Sequence, residues 1–148
     1  MTKKGSHHIP GYFDFVVPPL EGFWWQDGDQ GIDFTRKDRF HFVSCIRMPE
    51  FVDRATFNWA VQTASTKKQL DLTNVEFLTL DEGRCAQIMH VGTYDEEPAT
   101  IAKLTDFVTQ NDLQPDYSAT RRHHEIYLSD PRRTKPENCK TVIRIPVR

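Results

Sequence analysis

The residue whose setting most suggests chemistry is Glu125, in the run His123-His124-Glu125-Ile126-Tyr127-Leu128. The run has strand character, and alternation puts Glu125, Tyr127 and Ser129 on one face and His124, Ile126 and Leu128 on the other. The apolar Ile126/Leu128 face is expected to meet the helices, which leaves Glu125 to look into a cleft. A carboxylate in an apolar cleft loses hydration and its pKa rises. Such a group attracts a cationic ligand or serves as a general acid or base. The ordinary alternative is a surface glutamate on a strand. Tyr127 shares the face and carries a hydroxyl that can donate a hydrogen bond or hold a water.

Aromatic residues supply the second set of candidates. Trp24 and Trp25 are adjacent, so a regular strand points them to opposite faces, one to core and one to pocket. A bend at Gly22 would bring both to the same region. Aromatic walls bind planar or cationic compounds by stacking and cation–π contact, about 0.5–2 kcal/mol each. Phe13, Phe40, Phe42, Phe77 and Phe107 are read as core filling. Met89 and His90 lie in one strand; His90 has the chemistry to polarise a water, although a lone strand histidine is more often structural. Tyr94 follows close behind, where a helix begins. Asp95, Glu96 and Glu97 at that helix start are read as partners of the helix dipole, not as catalytic carboxylates. Asp130-Pro131-Arg132-Arg133 is read as a turn with an exposed basic tip.

Several chemistries find no pattern here. There is no GxSxG, HExxH or P-loop, and no cysteine has an evident basic neighbour. Cys45, Cys85 and Cys139 form no CxxC pair; Cys45 and Cys85 sit in apolar runs as small core residues, and free thiols suit a reducing cytoplasm. His7-His8 has no third ligand nearby. No metal, nucleotide or other cofactor is implied. The net charge is −2, without the basic stripe that nucleic-acid binding needs. No stretch approaches the ~18 apolar residues of a membrane span, and no apolar segment follows the basic N-terminus as in a secretory signal.

The elements that must position these residues follow from periodicity. A chain of 148 residues, 38% apolar and 11% aromatic, fits one globular domain, residues 1–148. Strands are expected at 12–17, 20–26, 39–48, 75–80, 84–91, 123–128 and 140–147. Phe40, Phe42, Ser44 and Ile46 form the buried face of the third, and 75–80 and 84–91 form a hairpin through Asp81-Glu82-Gly83. Helices are expected from 51 to about 67, and after Pro98 to about Asn111 with Ile101, Leu104, Phe107 and Val108 inward. Hairpins dominate and helices do not alternate regularly with strands, so the class is α+β, antiparallel sheet with helices on one side.

Five stretches in order, GYFDFVVPPLEGFWW (11–25), RMPEFV (47–52), MHVGTYDEEPATIAKL (89–104), HHEIYLSDPRR (123–133) and KTVIRIPV (140–147), resemble the GyrI-like family of small-molecule-binding domains, with its SOUL/GyrI-type fold. The resemblance implies two strand-helix-strand-strand units around a ligand cleft, the first lacking its opening strand and helix here. Either the chain is a fragment or a partner chain fills that gap; an apolar face left uncovered there would self-associate, so a homodimer is expected. It also implies Glu125 as the pocket glutamate and Tyr94 as the pocket tyrosine; Trp24, Trp25, Met89, His90 and Tyr127 are the further candidates for contact with the ligand. LEGFWW and HHEIYL look like the subgroup that hydrolyses cyclopropane-bearing DNA-alkylating natural products. Three functions follow as expectations: hydrolysis of such compounds with Glu125 placing the water and Tyr94 or Tyr127 polarising the carbonyl, sequestration or sensing of hydrophobic or cationic xenobiotics, and inhibition of DNA gyrase by contact. For the last, Asp27-Gly28-Asp29 is the acidic segment.

Overall fold

The computed structural model describes residues 8–28, 32, 33 and 35–148. They fall in two compact units. The first takes the described part of Met1–Pro18 together with Arg47–Thr79, and the second takes Pro19–Ile46 with Leu80–Arg148.

The second unit is a five-stranded antiparallel sheet with one helix, which makes the protein α+β. Its strands are β1 (Leu20–Trp25), β2 (His41–Ile46), β3 (Cys85–Val91), β4 (His123–Tyr127) and β5 (Lys140–Pro146), in the order β2-β1-β4-β5-β3. β3, the helix here called α2 (Glu97–Gln110), β4 and β5 form one complete strand-helix-strand-strand unit, and β1–β2 adds to the free edge of β4. Residues directly opposite each other share a face. The register Gly22↔Glu125↔Ile143↔Ile88 therefore places Trp24, Phe42, Glu125, Tyr127, Ile143, Ile145 and His90 on one face. Phe23, Trp25, His124, Ile126, Arg144 and Met89 lie on the other.

α2 presents Leu104 and Val108 to Ala86, Ile143, Ile145 and Val147, all nearly inaccessible, and this cluster is the core of the unit. Each buried Leu, Ile or Val of the cluster contributes roughly 1.5–3 kcal/mol by leaving water. The helix thus covers the Glu125 face. The expectation that it would cover Ile126 and Leu128 is corrected: the strand partner of Glu125 is Ile143, the centre of the core, and Leu128 lies beyond β4, half exposed. Phe107 also points outward, because the buried stripe 101, 104, 108 leaves it at the margin.

The first unit holds α1 (Arg54–Lys68). Asp53 caps it by accepting the Thr56 N–H at 2.7 Å, so the helix starts at Arg54 rather than Phe51. None of its residues is fully buried. The expected strand at 12–17 belongs to no ladder; instead Tyr12, Phe13 and Phe15 meet the Phe51 ring edge-on at 5.1–5.7 Å. Phe77 stacks on Phe57 at 5.3 Å, with Arg54 donating to its carbonyl.

The stretch 75–80 is also unpaired, and β3 pairs with β5 in place of the expected hairpin. A local cause lies in the connection. Arg121 donates to the carbonyls of Glu82 and Arg84, the Glu82 carboxylate is held by His124 and Arg144, and Gly83 takes φ = 59°. These ties hold residues 82–84 to the β4 and β5 side. Among the described residues no helix is long and apolar enough to cross a membrane.

Candidate functional site

β4 carries the centre of the site because strand period two sets His123, Glu125 and Tyr127 in a row. Glu125 is 6% exposed and both its oxygens are engaged. Tyr127 Oη donates to Oε2 at 2.7 Å, and His123 Nε2 lies 3.0 Å from Oε1. Trp24 Nε1 donates to Tyr127 Oη at 2.9 Å, which completes a relay from indole to phenol to carboxylate. Gly22, directly across from Glu125, makes room for it: a Cβ there would sit 2.8 Å from Trp24 Nε1 and 2.9 Å from Tyr127 Oη.

Aromatic rings frame this relay. Phe42 lies 5.1 Å from Trp24 and Phe40 meets it edge-on at 5.9 Å. Tyr94 stands at 85° to Tyr127 with centroids 6.1 Å apart, and its own ring is half exposed. Burial, then the charges of Cys139, Glu97 and Glu125, raise the Tyr94 hydroxyl above its usual range. Burial and the neighbouring Glu125 raise the Tyr127 hydroxyl as well. Both phenols therefore remain neutral donors at neutral pH. Phe40 and Phe42 are not core residues as expected: β2 is an edge strand, and Phe42 is 58% exposed beside the indole.

Glu97 is the residue that sequence reasoning passed over. The corner before α2 has a division of labour. Glu96 accepts from the Thr93 N–H at 2.9 Å as a capping box, and Asp95 pairs with Lys37 at 2.9 Å. Glu97 instead turns inward, 4% exposed, and its Oε1 has no hydrogen-bond partner among the described residues. Burial, followed by the charge of Glu125, pushes its pKa up to about 8. A favourable helix N-terminus does not offset that desolvation. At neutral pH Glu97 therefore holds a proton beside a carboxylate that is already hydrogen-bonded. The signal was the spacing: 97, 101, 104 and 108 form one helical stripe with the buried Leu104 and Val108.

The remaining candidates separate. His90 is on the Glu125 face but fully occupied, with Nε2 2.9 Å from the Thr93 carbonyl and Nδ1 2.8 Å from Thr100 Oγ1. A carbonyl only accepts, so Nε2 carries a proton. Trp25 and Met89 lie on the opposite sheet face; the strand is regular at Gly22, and Trp24 and Trp25 nevertheless both border one cavity at its end. Asp27 is 3.3 Å from His41, and Asp29 and His7 lie outside the described residues. Among the described residues no group of three or more His, Cys, Asp or Glu side chains is placed to hold a metal.

The opposite face carries a second buried histidine. His124 is 1% exposed, with Nε2 2.8 Å from Glu21 and Nδ1 2.8 Å from Glu82. Phe23 stacks on its ring at 4.0 Å, and Arg144 reaches Glu82 at 2.6 Å. Burial opposes the charge on Glu82, but His124 and Arg144 outweigh it and hold the carboxyl below its usual value.

The described residues form an α+β sheet with a ring-framed, buried acidic centre. The chain belongs to the GyrI-like family: the model of the GyrI-like small molecule binding domain matches residues 3–148. It is similar to a crystal structure of a hydrolase from Listeria innocua, with 42% identity and a TM-score of 0.87 over 100% of this chain and 71% of that one. It is also similar to an uncharacterized conserved protein from Listeria innocua, with 44% identity and a TM-score of 0.90 over 99% of this chain and 71% of that one. A hydrolase encoded by lin2189 from Listeria innocua matches at 42% identity and a TM-score of 0.87, over 100% of this chain and 72% of that one. No curated protein matches.

Proposed function

We propose that this site binds hydrophobic, aromatic or cationic xenobiotics and hydrolyses those that carry a cyclopropane conjugated to a carbonyl, as DNA-alkylating compounds do. The observation that carries the reading is the pairing of Glu125, held ready as an acceptor, with Glu97, protonated near neutrality. In the reaction, water attacks the ring methylene and a carbon–carbon bond of the cyclopropane breaks. The bond's electron pair moves into the conjugated carbonyl. Glu125 takes a proton from the water, and Tyr94 or Glu97 donates to the developing oxyanion. Tyr127 is committed to Glu125 and acts by orienting it. The net change is addition of one water, with protons returned through solvent. The name hydrolase on two Listeria innocua neighbours is consistent with this chemistry.

Incubation with a cyclopropane-bearing indole alkylator followed by mass spectrometry tests the proposal. Gain of one water supports it, and Glu125→Gln should lower turnover by roughly 10²–10⁴-fold while affinity stays within about threefold. Unchanged compound with a thermal shift favours the second reading, sequestration, for which the Trp24, Phe40 and Phe42 rings suffice. Full activity in Glu125→Gln would sink the mechanism. We further propose a cytoplasmic homodimer, supported by the exposed Val43, Met89 and Val91 on one sheet face. Light scattering that gives a monomer at micromolar concentration removes that part.

A further inference from the structure

One cation at the end of the sheet is used by neither the core nor the proposed chemistry. Arg122 immediately precedes β4, and its guanidinium lies 3.4 Å from the centroid of the Trp25 ring. Other arginines of this unit are matched to acids: Arg121 to Asp116, Arg144 to Glu82, Arg132 and Arg133 to Asp130. Arg122 is half-buried and has no ion pair among the described residues. The acid on the nearby wall, Asp27, is engaged with His41 at 3.3 Å.

A guanidinium stacked on an indole has its flat face satisfied and its orientation restricted, while its edge N–H donors remain for an acceptor. That edge matches a carboxylate bidentately. Arg122 and Trp25 border a half-open cavity of ≈ 210 Å³ whose walls include Trp24, Gln26, Tyr117 and Ser118. The volume is below the about 300–1,000 Å³ of pockets for drug-sized ligands, so the occupant is fragment-sized. Trp24 and Tyr117 are aromatic members of that lining and Ser118 a polar one, its Oγ accepting from the Thr120 and Arg121 N–H groups.

We propose that the Trp25–Arg122 cavity is a second binding site, which takes the carboxylate of a small planar acid on the Arg122 edge and its ring between the aromatic walls. It shares Trp24 with the Glu125 centre but is built on a different group, Arg122 stacked on Trp25, and it stands whether or not that centre hydrolyses anything. The acid is either a free metabolite-sized molecule or the acidic end of a larger compound; the two share this chemistry.

The test is a nitrogen-15 NMR titration of the full chain with benzoate, with benzamide as its uncharged counterpart and inorganic phosphate as charge without a ring. Benzoate should shift the Trp25 indole N–H resonance saturably. Benzamide and phosphate should each bind at least 10-fold more weakly. Arg122→Gln should weaken benzoate at least 10-fold, equivalent to about 1.4 kcal/mol. Arg122→Lys, which keeps charge and loses the fork, should fall between. Repeating the titration with benzoate extended by an alkoxy tail separates a free acid from the end of a larger compound, since only an open mouth admits the tail without loss. Equal affinity of wild type and Arg122→Gln for benzoate overturns the proposal. So does benzamide binding as well as benzoate, phosphate binding as well as benzoate, or no saturable shift.

Discussion

His123 and His124 are neighbours in sequence, both buried, and both bonded to glutamate, yet they serve opposite sheet faces with opposite outcomes. Around His124 the matching is complete: each ring nitrogen meets a carboxylate, and Arg144 balances Glu82. On the His123 face the matching is incomplete: Glu125 is satisfied, but Glu97 is buried with an oxygen that nothing meets among the described residues. Buried polar groups are normally paired, so the unmet Glu97 oxygen calls for a partner, and the proposed ligand would supply one. Burial alone therefore does not distinguish function from structure. Completeness of the hydrogen bonding does.

The sharpest way to break the comparison is His124→Ala. It leaves Glu21 and Glu82 facing each other without their shared partner, and should cost about 3–5 kcal/mol in urea unfolding. A loss below about 1 kcal/mol would mean that the cluster is not a fastener. Glu97→Gln addresses the other face through pH. The folded pKa of Glu97 is raised to about 8 from 4.5, so the folded state keeps a proton that the unfolded chain releases. Its stabilisation is complete below pH 4.5 and is lost as pH rises through about 8. Glutamine does not titrate, so the variant should gain on wild type across that window, by on the order of 2–4 kcal/mol. Parallel stability curves for the two proteins would show that Glu97 is not held protonated. Gly22→Ala should cost about 1–3 kcal/mol by forcing Trp24 and Tyr127 apart, visible as a shifted Trp24 indole resonance. Phe107→Ala, at a half-exposed position outside both faces' chemistry, should change stability by less than about 0.5 kcal/mol.

Strand period two makes the grouping of Glu125 with Tyr127 legible in the sequence, because i and i+2 residues share a face wherever the strand is placed. It does not say which face the helix covers. That depends on register with β5, and Ile126 and Leu128 are too short an apolar signal against Ile143 and Ile145 across the ladder. The strand bounds of β1, β2, β4 and β5 and both helices lie within a few residues of expectation. The segments 12–17 and 75–80 have strand composition but no ladder, since a strand requires a partner that composition cannot supply. Glu97 is obscured by its neighbours: three acids at a helix start invite one common explanation, and only the stripe through Leu104 and Val108 separates the third. Phe40 and Phe42 read as core because alternation shows a shared face and not whether anything covers it.

The corner that joins β3 to α2 is braced from three sides, by the His90 ring across Thr93 and Thr100, by the Thr93–Glu96 reciprocal cap, and by the Gly92 N–H on the Cys139 carbonyl at 3.0 Å. Tyr94 and Glu97 sit on this bracket. A guest arriving at that wall meets side chains whose mounting is already set, so little ordering entropy is surrendered there on capture. If the site takes guests as proposed, differences in their shape fall to the opposite wall, where Phe42 of edge strand β2 is 58% exposed.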